Sequence, residues 1–289
     1  MEKYLKGALV SNSASLGLNW IYDMPYLEKL AEKEYVLFQK EDPLKYQEAK
    51  KSFYSYPHAD IGDVSFQGNI LKWLYTALKE NPELTKEAYQ DLVYEHIKPA
   101  GDYVGYAEFY GRKLVANKLN ELLKSEQAPY TYNDDQLVGF VPYLVCKELG
   151  LSKEKTWSLA QAFTNVETFK DLYSFFDTLL ENVAKFPLKE ALEKAVTLLP
   201  KGYLEKGKKA IEVSDTKTFI LNHANTACHI DHAVPLIIHI MYHTTSFEDA
   251  VTLNTIIGGA SSDRGLLLGA LLSQIYRVPS DWVNKVNIK

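Results

Sequence analysis

Apolar residues return every three to four positions along most of this chain. Ile70, Leu71, Leu74, Tyr75 and Leu78 form one such stripe, and Leu137, Phe140, Val141, Leu144 and Val145 form another. Phe169, Leu172, Tyr173, Phe176, Leu179, Leu180 and Val183 form a third. This spacing predicts amphipathic helices, each with one buried face. The punctuation agrees. Gly150 followed by Ser152 reads as a helix stop and a new N-cap. Ser246 with Asp249 reads as a capping box with Asp in the place of Glu. Asp134 and Asp135, after Asn133, read as the acidic start of a helix. Pro82, Pro129, Pro187, Pro200 and Pro279 fall between the periodic segments. No alternating strand ladder stands out, although Lys217–Leu221 could be a short extended piece. The expected fold class is all-α, with about a dozen helices. No linker, charge run or repeat divides the chain, so residues 1–289 are read as a single compact domain.

Two stretches break the helical period, Phe53–Gly68 and Ser214–Cys228. Long loops in compact domains are often functional. The first contains His58, Asp60, Asp63, Ser65 and Gln67 and runs into Asn69. His58, Asp60 and Asp63 are possible metal donors. Ser65, Gln67 and Asn69 place polar groups at a helix N-terminus, where an anion is favoured, or Ser65 simply caps the helix. A second polar turn is Gly258-Gly259-Ala260-Ser261-Ser262-Asp263-Arg264. Its glycines allow a ligand close to the backbone. Arg264 could clamp an anion or serve a structural salt bridge. Five histidines, at 223, 229, 232, 239 and 243, cluster late in the chain beside Cys228. Cys228 is a candidate nucleophile with a histidine base, and the alternative is a buried cysteine among capping histidines. Cys146, on an apolar helix face, reads as core.

Charge and composition narrow the possibilities. The 37 acids exceed the 32 bases, for a net charge of −5, so a general nucleic-acid partner is not expected. Two cysteines do not make a disulfide scaffold, which points to a reducing, cytoplasmic setting. The N-terminus lacks the long apolar core of a signal peptide, and no run of about 18 apolar residues suggests a membrane span.

Taken together, the two polar turns resemble those of the ADP-ribosylglycohydrolase family, the all-α fold that includes dinitrogenase-reductase-activating glycohydrolase. Ser13-Ala14-Ser15-Leu16-Gly17 occupies the place of the family's first Gly-Asp-Ala-Leu-Gly-like turn. Ser65-Phe66-Gln67-Gly68 aligns with its Thr-Asp-Asp-Thr, and Gly258–Asp263 with its Gly-Gly-Asp-Thr-Asp-Thr. Gly265–Ile275 matches the apolar last long helix, and Pro279-Ser280-Asp281-Trp282 the Pro-x-x-Trp ending. The resemblance implies two magnesium ions held by Asp and Thr oxygens at the scissile ribose bond. At the matching positions this chain has Ser65, Phe66, Gln67, Ala260, Ser262 and Asp263, with one carboxylate among them. Most magnesium ligands are thus absent, and no metal ligand is assigned.

The resemblance implies a hydrolase of an N- or O-glycosidic bond in an ADP-ribosyl or related ribosyl substrate. Asp63 and Asp263 are then its expected carboxylates, with Cys228 the third catalytic candidate. His58, Asp60, Ser65, Gln67, Asn69, Gly258, Gly259, Ser261, Ser262 and Arg264 are expected to bind the ligand. Two alternatives stand beside this: an inactive member that binds a nucleotide or sugar, and a Cys228-dependent hydrolase or transferase.

Overall fold

The computed structural model describes residues 3–288. Among the described residues sixteen α-helices follow one another. They are α1 (Lys3–Leu16), α2 (Met24–Ala31), α3 (Pro43–Glu48), α4 (Phe66–Glu80), α5 (Lys86–Ile97), α6 (Phe109–Leu122), α7 (Phe140–Leu149) and α8 (Lys153–Ala160). Then come α9 (Thr168–Val183), α10 (Leu188–Val196), α11 (Lys201–Glu212), α12 (Thr216–His223), α13 (Ile230–His243), α14 (Phe247–Ile257), α15 (Ser261–Leu272) and α16 (Ser280–Val283). Among the described residues the only β pairing is two isolated bridges, Ile21 with Ser52 and Gln136 with His229. The all-α class is therefore as expected. The count exceeds a dozen because short helices such as α3 and α16 carry no full apolar stripe.

The centre of the molecule is the crossing of α1 and α15. Every residue of α1 from Gly7 to Leu16 is buried, and so is every residue of α15. Helices enclosed on all sides have no polar stripe. They approach closely because small residues face each other. A Cβ on Gly7 would lie 2.3 Å from the Gly269 carbonyl oxygen, and one on Gly269 would lie 2.3 Å from that of Gly7. The amphipathic helices α4 and α7 pack their predicted stripes around this pair, and α9 packs its stripe against α7 and α10.

Several punctuation marks act as read. Gly150 ends α7 at φ +67°, and the Ser152 side chain accepts from the Lys155 amide. Ser246 accepts from the Asp249 amide at 3.0 Å, but Asp249 completes no reciprocal box and takes the Thr245 hydroxyl instead. Two expectations need correction. Lys217–Leu221 is not extended but lies within α12. Asp215 caps that helix by accepting from Thr218 N at 2.8 Å, and Phe219 anchors it, stacked 4.6 Å from His239. Asp134 and Asp135 do not start a helix. The first helical turn is a 3₁₀ turn at Leu137–Gly139, while Asp134 pairs with Lys113 at 3.0 Å and Asp135 with His229 at 2.7 Å. His239 uses both ring nitrogens, on Thr216 and on the Ala210 carbonyl, and burial pushes its pKa down to about 4. It is a neutral core histidine. Among the described residues no helix is long and apolar enough to cross a membrane.

Candidate functional site

The N-termini of α4 and α15 meet against the middle of α1. Ser65 caps α4, accepting from Gly68 N at 3.3 Å. Its hydroxyl donates to Asp263 Oδ1 at 2.9 Å and accepts from Asn12 Nδ2 at 2.8 Å. Asn12 Oδ1 accepts from Ser65 N at 2.8 Å, and Asn12 Nδ2 also donates to the Ser262 carbonyl at 2.9 Å. Ser262 Oγ donates to the Asn12 carbonyl at 2.7 Å, and Ser262 N donates to Asn19 Oδ1 at 2.9 Å. Each of these residues is buried. The small polar residues of α1 thus serve as partners for the two turns, since a buried polar group without one is costly.

The two glycines bring the turn close to neighbouring backbone. Gly258 and Gly259 have φ of +75° and +65°. A Cβ on Gly259 would sit 2.0 Å from the Thr226 oxygen, and one on Gly258 would sit 2.3 Å from that of Ile21. Only glycine fits either position. The close approach is secured by hydrogen bonds from Gly259 N to Ile21 O and from Ala260 N to Thr226 O.

The carboxyl that shares this site with Asp263 is Glu108. It occupies the N-cap position of α6, yet its side chain makes no capping bond and turns inward. Glu108 and Asp263 are 4% and 1% exposed and lie in hydrogen-bond contact with each other. Burial and the neighbouring Asp263 carboxylate hold Glu108 well above the usual carboxylate range. Asp263 is raised by burial too, against the opposing pull of Glu108, the Ser65 hydroxyl and Arg264. Glu108 Oε1 and Asp263 Oδ2 have no donor among the described residues. Burial and the contact between the two carboxyls favour the retention of a proton by the pair. The pair then carries one proton and one charge, as touching acids do.

A wall of tyrosines covers the pair. Tyr56, Tyr103 and Tyr110 are largely or wholly buried, and each is raised by burial and by the charges of Glu108 and Asp263. Tyr56 OH accepts from Phe66 N at 3.1 Å, and Phe66 stacks on Tyr110 at 5.6 Å. Outside the wall lies a half-open cleft of about 640 Å³, lined by Tyr56, Tyr103, Tyr106, Trp73, Lys72 and Asn69 among others. A second cleft adjoins it, sharing Ser55, Pro57 and Tyr106 and adding Trp20, Tyr22 and Phe53. Trp20 meets Tyr106 edge-on at 5.0 Å.

The other sequence candidates fall into three groups. Arg264 is wholly buried and held by its own turn. Nε donates to Asn254 Oδ1 at 2.7 Å, and one terminal nitrogen donates to the carbonyls of Asn254 and Gly258. Burial brings its pKa down to about 10, so it stays charged at neutral pH, and its remaining nitrogen has no partner among the described residues. Ser261 Oγ is likewise buried and unpartnered, and Gln67 is buried in the first turn of α4. His58, Asp60 and Asp63 stay on the outer loop and do not join the acid pair. Asp63 accepts from Asp60 N at 2.8 Å and from Asn287 at 3.1 Å, and Asp60 pairs with Lys40. His58, Asp63 and Asn69 line the first of the two clefts, and Asn69 donates to the carbonyls of Val64 and Ser65.

Cys228 lies beside the site, within range of the charges of Glu108 and Asp263, and its carbonyl accepts from Leu137 N at 3.2 Å. Burial and those acids push its thiol far up, so the thiolate needed by a nucleophile is disfavoured at neutral pH. Iodoacetamide at pH 7.5 is therefore expected to label Cys228 at least tenfold more slowly than an unperturbed thiol, and mass spectrometry of the modified peptide measures the rate. Labelling as fast as free cysteine would return Cys228 to the list of nucleophiles.

Sequence reading misses Glu108. An acid just ahead of an amphipathic helix looks like a favourable first-turn charge, and nothing local shows that it turns inward. Asn12 and the covering tyrosines escape notice for the same reason.

Known proteins share this architecture. The family model "ADP-ribosylglycohydrolase" matches residues 151–288. A solved structure, "ADP-ribosylglycohydrolase-related protein complex", has the same fold. It has a TM-score of 0.59 at 13% identity, covering 99% of this chain and 92% of that one. No curated protein matches at a significant level. The C-terminal part of the chain, residues 151–288, is thus similar to the ADP-ribosylglycohydrolase family, and the chain shares its fold with that solved structure over nearly all its length.

Proposed function

We propose that this chain is a glycosidase-type hydrolase acting on an N- or O-glycosidic bond of an ADP-ribosyl or related ribosyl substrate, with Glu108 and Asp263 as its acid–base group. The observation that carries the reading is the buried pair itself. A carboxyl kept protonated at neutral pH is what a leaving group needs from a general acid. As the bond to the anomeric carbon breaks, the Glu108 proton passes to the departing nitrogen or oxygen. Water adds its oxygen to that carbon and gives a proton to the pair, so the starting state returns. Asp263, held by the Ser65 hydroxyl and balanced by Arg264, supplies the negative charge that steadies the developing oxocarbenium ion. The aromatic clefts offer stacking surfaces for a base and the nearby Lys72 ammonium a partner for phosphate.

Paired magnesium does not suit the donors at these positions. Ser65 Oγ is committed to Asp263, Asn12 and Gly68, and Ser262 Oγ to the Asn12 carbonyl. Phe66 and Ala260 offer no side-chain oxygen. Among the described residues no group of three or more His, Cys, Asp or Glu could hold a metal ion. Magnesium asks for several oxygen ligands, usually including carboxylates. The proposed reaction therefore runs through side chains alone.

A second reading rests on the tyrosine wall. If Tyr56 and Tyr103 do not turn aside, a nucleotide or sugar binds in the cleft and is not cleaved. One experiment separates the two. The protein is incubated in EDTA with ADP-ribosylated arginine and serine peptides, and released ADP-ribose is quantified by mass spectrometry. Release that falls about a hundredfold or more in Glu108→Gln supports the acid role. Calorimetric binding of ADP-ribose without any release supports the binding reading. Release that appears only with magnesium would overturn the metal-free reaction.

A further inference from the structure

A second pocket lies away from the acid pair, between α7, α8 and α9. It encloses about 380 Å³, within the range of small-molecule sites. Its floor is aromatic. Tyr143 and Tyr173 stack at 5.1 Å with ring planes 9° apart, and Trp157 forms a wall. Three ammonium groups, Lys147, Lys153 and Lys170, and two carboxylates, Glu154 and Asp177, line the pocket, in a protein whose net charge is −5.

The acids nearby are already satisfied. Asp177 takes Lys147 at 2.5 Å, Lys153 at 3.1 Å and the Tyr143 hydroxyl at 3.1 Å, and its pKa stays low despite burial because two ammonium groups flank it. Glu154 turns to the start of its own helix, where Ser152 hydrogen-bonds it. Lys170 reaches Glu167 at 2.5 Å and lies 4.7 Å over the Trp157 ring. A carboxylate so fully engaged has little to offer a cation. Each ammonium has three N–H donors, and Lys153, with a side chain 74% exposed, places one on Asp177. Donors at the rim are left for an anion.

We propose that this pocket binds a planar aromatic anion, with its ring beside Trp157 and its carboxylate or phosphate at Lys153. The proposal does not depend on the acid pair or on hydrolysis. The chain has four tryptophans, so 5-fluorotryptophan labelling gives four ¹⁹F resonances, and Trp157→Phe assigns the one that matters. The probes are 2-naphthoate, 1-naphthyl phosphate and the neutral 2-naphthol. Either anion is expected to shift the Trp157 resonance saturably while that of the buried Trp282 stays in place. Lys153→Gln is expected to weaken that binding at least tenfold, and 2-naphthol to bind at least tenfold more weakly than the anions. Lys170→Gln, at an exposed position, gives a second variant with the same expectation. A Trp157 resonance unmoved by millimolar anion overturns the proposal. So does equal affinity for the neutral ring, or affinity unchanged from wild type in both lysine variants.

Discussion

Glu108→Gln is expected to flatten the pH dependence of stability and to leave the protein more stable than wild type at pH 8. In the folded protein burial and Asp263 keep Glu108 protonated well above its ordinary value of 4.5. The unfolded chain releases that proton once the pH passes that value. Between these limits the folded state binds more protons than the unfolded one, so stability falls as pH rises. The slope approaches about 1.4 kcal/mol per pH unit for one proton. The contribution is thus complete below about pH 4.5 and is lost as pH climbs toward the folded-state value. The substituted amide is neutral at every pH and can still donate a hydrogen bond to Asp263, so this slope disappears. Urea unfolding at pH 5, 6, 7 and 8 measures it, and the gap between variant and wild type should widen at each step. Parallel curves would mean that Glu108 is ionised in the folded state and is no general acid. The same substitution is expected to remove turnover, so stability and activity move in opposite directions, as they commonly do at catalytic groups.

Gly269→Ala is expected to cost about 3 kcal/mol or to prevent folding. Its Cβ would meet the Gly7 carbonyl oxygen at 2.3 Å and Ser11 Cβ at 2.5 Å. Backbone on one side and a fully enclosed helix on the other leave nothing that can give way, and overpacking of this kind is among the larger single-residue effects. Gly202→Ala is the matched control. Gly202 has nothing within 4 Å of a new Cβ, and alanine there should stabilise α11 by roughly 0.5 kcal/mol. Chemical denaturation of the two variants side by side tests the crossing, which would be misplaced if Gly269→Ala unfolded at the wild-type midpoint.

What can be read from sequence follows from how local each signal is. The stripes of α4, α7 and α9 are visible because one face of each meets the core and the other meets water. The caps at Ser65, Ser152 and Ser246 are visible because capping acts over three residues. The central helix α1 is not recognisable as core. Ser11, Asn12, Ser13 and Ser15 look like surface residues until their distant partners are known. The α12 segment, with Thr216, Thr218 and Ile220, looks extended because β-branched side chains favour strands, and tertiary packing of Phe219 overrides that preference. Asp263 and Ser65 can be named from their turns. Glu108 cannot, because its meaning comes from a partner far along the chain.

The crossing of α1 and α15 also governs when the site can exist during synthesis. Asn12 and Ser262, which hydrogen-bond to each other, are 250 positions apart. At roughly 5–20 residues per second, a ribosome makes α1 on the order of ten to fifty seconds before α15 can cover it. Throughout that interval Asn12 has no turn to hold and Glu108 has no partner acid. The site is therefore a product of the completed polypeptide. A fragment limited to residues 151–288, the part that matches the family model, would contain Asp263 and Arg264 but neither Ser65 nor Glu108. Truncation from either end removes half of the acid pair or its support, and nothing of the proposed chemistry would survive in the remainder.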